Sequence, residues 1–374
     1  MLMEIFEGLE DSRDARGKRH KLIDVIIMSI YGILSGNSDC ENIADWLELR
    51  TDYFVELLNL DNGIPSADTF LRVFRTLDPE QFMSIFTEWI KSMVSLKGGH
   101  IAIDGKAIKS ATDKINNGNI PYVVSGFLTE VGISIGQVKI NDKSNEITAI
   151  PELLELLDLE DVTITIDAIG TQKTIVNKII SKKGHYLLNV KENQKALHWD
   201  IDEYFKFALS HEKEKEKLRR YETKTYDHGR IETRKYYVVD DLYFLTGKSE
   251  WKGLSSVGLV MNKREINGEE SIQWKYYISN LSLAPEEFAS LTRNHWQIEN
   301  KLHWVLDVHF KEDLSRSRKD DSLINLALIR KICFNLIKLD DSFGKISLKK
   351  KLNRYAFDLK NIENLIFKQL PLKS

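Results

Sequence analysis

At 374 residues the chain has room for two or three domains, and 42% hydrophobic with 29% charged residues is the composition of an ordinary globular protein. A formal net charge of -3 excludes any whole-molecule attraction to nucleic acid or anionic membrane, so a polyanion site has to be a local patch. The two cysteines, Cys40 and Cys333, are far apart and fit no disulfide framework or cysteine metal site, which points to a reducing compartment.

The N-terminal MLMEIFEGLEDSRD is acidic where a signal peptide is basic, and VIIMSIYGIL at 25–34 is too short to span a bilayer, so a cytoplasmic location is expected. From Lys21 to Lys97 the apolar residues recur at three and four, as in Phe70, Val73, Phe74 and Leu77, and predict packed helices. Asp78-Pro79-Glu80-Gln81 supplies a cap, a first-turn proline and a capping-box glutamine. The segment IPSADTFLRVFRTL reads either as an ordinary bundle helix with solvated arginines or as the second helix of a helix-turn-helix with Arg72 and Arg75 toward phosphates.

After Gly98-Gly99 the period becomes extended, with strands IAID, YVVSGFL and ISIGQVKI. A helix IPELLELLD, a strand VTITID, a helix TQKTIVNKIISKK and a strand HYLLNV follow, and this order predicts an α/β core. Between Lys213 and Ser282 the runs KTYD, RIETRKYYVV, LYFLT, SVGLVMN and IQWKYYIS, with a turn at Asn267-Gly268, predict an inserted β-rich subdomain. The helical period returns from Pro285 through HWQIENKLHWVLDVHF and SLINLALIRKICFNLIKL. Beyond it Lys345, Lys349, Lys350, Lys351 and Arg354 form either a solvated face or a phosphate-backbone contact. The expected divisions are 1–97 helical and DNA-binding, 98–210 the first part of the core, 211–284 the insertion, and 285–374 the completion of the core with a basic helical end.

Two of the strand-like runs, IAIDGKAIK at 101–109 and VTITIDAIG at 162–170, place a carboxylate at a strand end, Asp104 and Asp167, where an α/β sheet opens to ligands. Carboxylate oxygens suit Mg²⁺ or Mn²⁺, and a pair of such ions suits in-line phosphoryl displacement. A third acid, Glu299, lies in an otherwise core-facing helix, which is costly unless the acid is paired or bound to metal. Taken singly, each is as readily a strand-end or surface carboxylate. His295, Glu299 and His303 also recur at four, a spacing that could hold zinc, though no fourth ligand has a claim. Trp296 and Trp304 read either as core aromatics or as platforms for an unpaired base.

With these acids in place the chain resembles the DDE transposases of bacterial insertion sequences, specifically the H-repeat-associated group of the ribonuclease-H-like superfamily. The resemblance rests on DSRDARGKRHKL at 11–22, GIPSADTFLRVFRTLDPEQF at 63–82, IAIDGKAIK, IDAIGTQ at 166–172, HYLLNVKENQ at 185–194, DHGRIETR at 227–234 and HWQIENKLHWVLDVHFKED at 295–313. It implies a ribonuclease-H-like mixed sheet flanked by helices, with a β-rich insertion and an N-terminal helical domain. It also implies a catalytic, metal-binding triad of Asp104, Asp167 and Glu299 holding two Mg²⁺ or Mn²⁺ ions. Lys106, Lys191, Asn193, Gln194, Arg230, His295 and Trp296 become candidates for contact with DNA. The implied partners are the element's terminal inverted repeats and target DNA, met by a homodimer at the bacterial nucleoid. The implied reaction is hydrolysis at the transposon ends followed by attack of the freed 3′-OH on target DNA. Two other functions stay open, a catalytically inactive DNA-binding remnant and a ribonuclease-H-like nuclease without strand transfer. The chain departs from broader relatives at minus seven, minus four and plus seven from the glutamate, where Thr292, His295 and Leu306 replace Tyr, Arg and Lys.

Overall fold

In the computed structural model, which describes residues 2–14, 17–111, 120–140, 146–227, 230–266 and 268–367, the elements up to Met93 are all helical. Helices α1 (Leu2–Phe6), α2 (Leu22–Leu34), α3 (Cys40–Glu48), α4 (Thr51–Leu58), α5 (Ala67–Thr76) and α6 (Pro79–Met93) follow in order. The predicted cap of α6 forms, because Asp78 accepts from the Glu80 amide at 2.9 Å and Pro79 opens the helix. The capping-box glutamine does not turn back, and Gln81 accepts instead from the Glu10 amide, 3.0 Å away, which ties down the N-terminal segment. Residues 59–66 separate α4 from α5, more than the three- or four-residue turn of a helix-turn-helix. Helix α5 is therefore a bundle helix, burying Phe70, Val73 and Phe74.

Strands β1 (His100–Ala107), β2 (Tyr122–Leu128) and β3 (Ile133–Ile140) form the predicted antiparallel meander. Helix α7 (Glu146–Leu156), strand β4 (Thr163–Ile166), helix α8 (Lys173–Ser181) and strand β5 (His185–Val190) then place β4 and β5 parallel to β1, in the order β3-β2-β1-β4-β5. This is the ribonuclease-H-like mixed sheet. After α9 (Lys195–Ser210) and α10 (Glu212–Lys215) come β6 (Arg219–Asp227), β7 (Arg230–Val239), β8 (Ser256–Ile266) and β9 (Glu269–Ser279). These four extend the same sheet, because β9 pairs antiparallel with β5 and gives one nine-stranded order ending β5-β9-β8-β7-β6. The β8–β9 connection is short, with Ile266 opposite Glu269 and Gly268 at φ +85°, while Asn267 of the expected turn lies outside the described residues.

The expected strand LYFLT forms turns instead. Its buried residues, Leu242 and Leu245, are spaced by three, so the segment lies over the core rather than alternating across a pleat.

Helix α11 (Pro285–His295), a π-helical turn (Ile298–His303), α12 (Trp304–Val308), α13 (Ser322–Leu339), α14 (Leu348–Phe357) and α15 (Leu359–Phe367) complete the chain. Helix α13 is buried on nearly every side and covers the edge strand β3. There the Asn335 amide accepts from the Ser134 backbone N–H at 2.9 Å and donates to the Ser134 carbonyl at 2.7 Å, satisfying an edge that would otherwise invite pairing. Among the described residues no helix is long and apolar enough to cross a membrane.

Helix α11 closes onto the sheet over Gly258 of β8. A Cβ there would stand 2.5 Å from the tip of the Phe288 ring. Gly258→Ala is expected to lower stability by about 1–3 kcal/mol through overpacking, read as a shift in the urea midpoint, with Phe288→Leu restoring part of the loss. An unchanged midpoint would show that α11 is not seated as described.

Candidate active site

The register of the parallel pair β1–β4 places the first two acids side by side. Its last partners are Ile103 and Ile166, both fully or nearly fully buried, so Asp104 and Asp167 are the next residue on each of two adjacent strands. Asp167 also caps the turn that follows β4, accepting from the Ile169 amide at 3.1 Å. Glu299 comes from the π-helical turn, where one extra residue per turn re-aims the side chains that follow. The three carboxylates line one open cavity of ≈ 160 Å³ together with Lys191, Lys275, His295 and Trp296.

Crowding of like charge dominates the electrostatics. Burial, then Asp167 and Glu299, push the Asp104 carboxyl up to about 7. Glu299 is also raised, by burial and by Asp167, against the pull of the Lys275 ammonium. Among the described residues no three acid, histidine or cysteine side chains are gathered closely enough to hold a metal ion. The donors nevertheless fit a hard divalent cation in kind, since all are carboxylate oxygens and their mutual repulsion is what such an ion relieves.

The histidines serve other ends than zinc. His295 Nδ1 lies 2.9 Å from the Thr165 hydroxyl, which also meets His100 Nε2 at 2.7 Å. His303 Nδ1 stands 3.5 Å from an Asp104 oxygen. Burial lowers His295 to about 4 and His303 to about 3, so both rings are neutral near pH 7.

Lys191, His295 and Trp296 share the carboxylate cavity, and Arg230 lines an adjoining cleft. Asn193 and Gln194 turn inward, donating to the Ala168 and Thr171 carbonyls at 2.7 and 2.8 Å and so bracing the turn behind Asp167. Lys106 also turns inward. Its ammonium pairs with Asp307, with Glu312 at 2.6 Å and with Asp313 at 3.8 Å, and its side chain is only 10% exposed. Burial opposes the charge on Glu312, yet Lys106 and Lys331 hold that carboxyl down at about 2. Trp296 and Trp304 are exposed, so neither is a core aromatic.

The sequence reasoning missed Lys275 and Tyr277. The signal was the alternation in IQWKYYIS, which puts Gln273, Lys275 and Tyr277 on one face of β9.

A ribonuclease-H-like sheet that brings one aspartate from within β1, one from just past the end of the adjacent β4, and a helix-borne glutamate to one cavity has the arrangement of the DDE class of DNA-processing enzymes. Sequence comparison gives the family: the one described as "Transposase DDE domain" matches residues 96–336 and the one described as "DDE_Tnp_1-associated" matches 3–90. The chain belongs to the DDE transposase family of bacterial insertion sequences. It is 37% identical to "Putative transposase YncI" of Escherichia coli O157:H7, over 98% of this chain and 94% of that protein. It is 36% identical to "H repeat-associated putative transposase YhhI" of Escherichia coli K12, over 96% of this chain and 95% of that one. A more distant likeness, at 14% identity and a TM-score of 0.46, covers 99% of this chain and 82% of a piggyBac transposase solved in a synaptic complex with hairpin DNA.

Two consequences can be measured. The folded-state value of Asp104 lies above the ordinary aspartate value of about 3.9, so between roughly pH 4 and 7 the folded chain binds a proton that the unfolded chain does not. Stability therefore falls as pH rises through that window. In EDTA, Asp104→Asn is expected to be more stable than the parent at pH 8, by up to about 4 kcal/mol, with the gap narrowing toward pH 5; urea midpoints at the two pH values decide it. Lys106→Met strands buried acids without their cation and is expected to cost about 3–5 kcal/mol, while adding Glu312→Gln recovers part of it. A loss below about 1 kcal/mol would place the cluster among surface-like pairs.

Proposed function

We propose that this chain is an active transposase that cuts at the terminal inverted repeats of its own element and joins the freed 3′-OH to target DNA. The observation that carries this reading is the convergence of Asp104, Asp167 and Glu299 on one cavity, with Asp104 raised by burial and by the other two. Asp104, Asp167 and Glu299 are the residues that would hold the divalent cations. Bound Mg²⁺ or Mn²⁺ would supply an activated water and stabilise the charge that develops at phosphorus. The chain's own cations, Lys191 and Lys275, face the same cavity and offset the charge of an entering phosphate. His295 is held neutral by burial and engaged by Thr165, so it fixes the orientation of its helix against β4 and leaves the acid–base chemistry to the carboxylates. Two ends have to be processed together in such a reaction, and a homodimer with one site per end meets that requirement.

The test is cleavage of a duplex carrying the element's end sequence, with Mg²⁺ or with EDTA, by the parent and by Asp104→Asn, Asp167→Asn and Glu299→Gln. The expected result is metal-dependent nicking at the end by the parent, and a loss of at least about 10³-fold in each variant with end binding retained. Joining of the nicked end to a second duplex separates a transposase from a simple nuclease. A parent that binds the end and never cuts it would make the chain a DNA-binding remnant, and variants that cut as well as the parent would remove the triad.

A further inference from the structure

Three strands of the insertion, β7, β8 and β9, carry a charged face whose arginines the carboxylate chemistry leaves unused. Alternation sends Arg230, Glu232, Arg234 and Tyr236 of β7 to one side of the sheet, with Val260, Asn262 and Arg264 of β8 and Gln273, Lys275 and Tyr277 of β9. The ladder aligns them in rows: Tyr236 with Val260 with Lys275, then Arg234 with Asn262 with Gln273, then Glu232 with Arg264. Successive rows are about 6.6 Å apart, so from Lys275 to Arg230 the face runs about 20 Å. It is the floor of an open cleft of ≈ 480 Å³ whose other wall is α11 and the turn after it, through Arg293, Trp296 and Asn300.

Charge in this cleft is lopsided. Arg230, Arg234, Arg264, Lys275 and Arg293 line it against a single acid, Glu232. That acid is buried and shared among Arg230 at 3.5 Å, Arg264 at 3.0 Å and Arg234, so it fixes the arginine heads in place without cancelling them. Asn262, Gln273 and Asn300 add neutral amides. The cleft is also continuous with the carboxylate cavity, since Lys275, Tyr277, Thr292 and Trp296 line both.

We propose that this cleft binds the sugar–phosphate backbone of the DNA strand that enters the carboxylate cavity, with Arg230, Arg234, Arg264 and Arg293 as its phosphate contacts. The proposal rests on the transposase reading and adds the path that the substrate takes. Held arginine heads in rows match a repeating anion better than a small ligand, and contacts of this kind position a strand without reading its bases. Over about 20 Å one strand of a duplex presents about six phosphates, one per 3.4 Å, enough to engage all four arginines.

The test is fluorescence anisotropy of the parent and variants on a labelled end duplex, in EDTA, between 50 and 200 mM salt. Each phosphate contact contributes about 0.9 to the slope of log K against log salt. Arg293→Gln, which lies outside the Glu232 network, and Arg230→Gln are each expected to lower the slope by about 0.9, on the end duplex and on an unrelated duplex alike. Arg264→Gln is expected to do the same, while Arg264→Lys keeps the slope. A purely structural role would move the thermal midpoint instead and leave the slope where it was. Parent slope and affinity in Arg293→Gln and Arg230→Gln would overturn the cleft as the path while leaving end cleavage by the parent intact. A parent that binds no duplex at all would overturn the transposase reading together with this proposal.

Discussion

Two carboxylates on adjacent parallel strands, one residue beyond the last paired isoleucines, are the constraint around which the structure is built. Side-chain repulsion opposes that register, and burial raises the cost further. What holds it is the backbone ladder behind the acids and an apolar floor of Ile101, Ile103, Ile164 and Ile166. A slip of one residue would send that floor to the wrong face of the sheet, a loss much larger than the repulsion between two acids. The hydrophobic effect therefore imposes an electrostatically unfavourable site, which leaves it ready for cations.

Beneath the site runs a second layer of charge that is balanced instead of crowded. Lys106 follows Asp104 by two positions and pairs with Asp307, on the helical stretch that carries Glu299, and with Glu312 in the turn beyond it. The strand bearing Asp104 and the helix bearing Glu299 are thereby fastened at a single ammonium. Lys331 of α13 joins from below, its charge opposed by burial and supported by Glu312, with its ammonium donating to Gln137 of β3 at 2.6 Å. Buried pairs of this kind contribute little net stability against apolar replacements, so their effect lies in the geometry they select. Here that geometry is the distance between β1 and the π-helical turn.

How far this was legible in the sequence follows from what each feature needs. The meander, the alternating core and the place of Asp167 at the end of β4 depend on local period and punctuation, and a reader of the chain finds them. Asp104, expected at a strand end, stands instead inside β1, which runs on to Ala107 against β2. Three features depend on pairing between distant segments and leave no local mark. The insertion strands extend the core sheet because β9 happens to meet β5, which nothing inside either strand announces. The π-helical turn interrupts a stretch whose apolar period is that of a plain helix, and a four-residue spacing that reads as a shared ligand set instead sends His295 to Thr165 and His303 to Asp104. Lys106 has the sequence context of a solvated lysine beside a strand, and only the acids arriving some two hundred residues later show it to be buried.

The departure from broader relatives around Glu299 acquires a physical account from the same elements. Thr292 folds its hydroxyl back onto the Phe288 carbonyl at 2.9 Å and the Ala289 carbonyl at 3.0 Å, so it satisfies itself within α11. His295 is spent on Thr165, and Leu306 is fully buried. Those three positions pack the helix against the sheet and present no cation to the cavity. The positive groups facing Glu299 come from strands instead, Lys275 on β9 and Lys191 just past β5. Because β9 and β5 are hydrogen-bonded neighbours, the two lysines stand on a rigid support where a helix-borne arginine would depend on the seating of its helix. A cation on the sheet also lies in register with the arginine rows of β7 and β8, so that Lys275 belongs at once to the carboxylate cavity and to the arginine-lined cleft beside it.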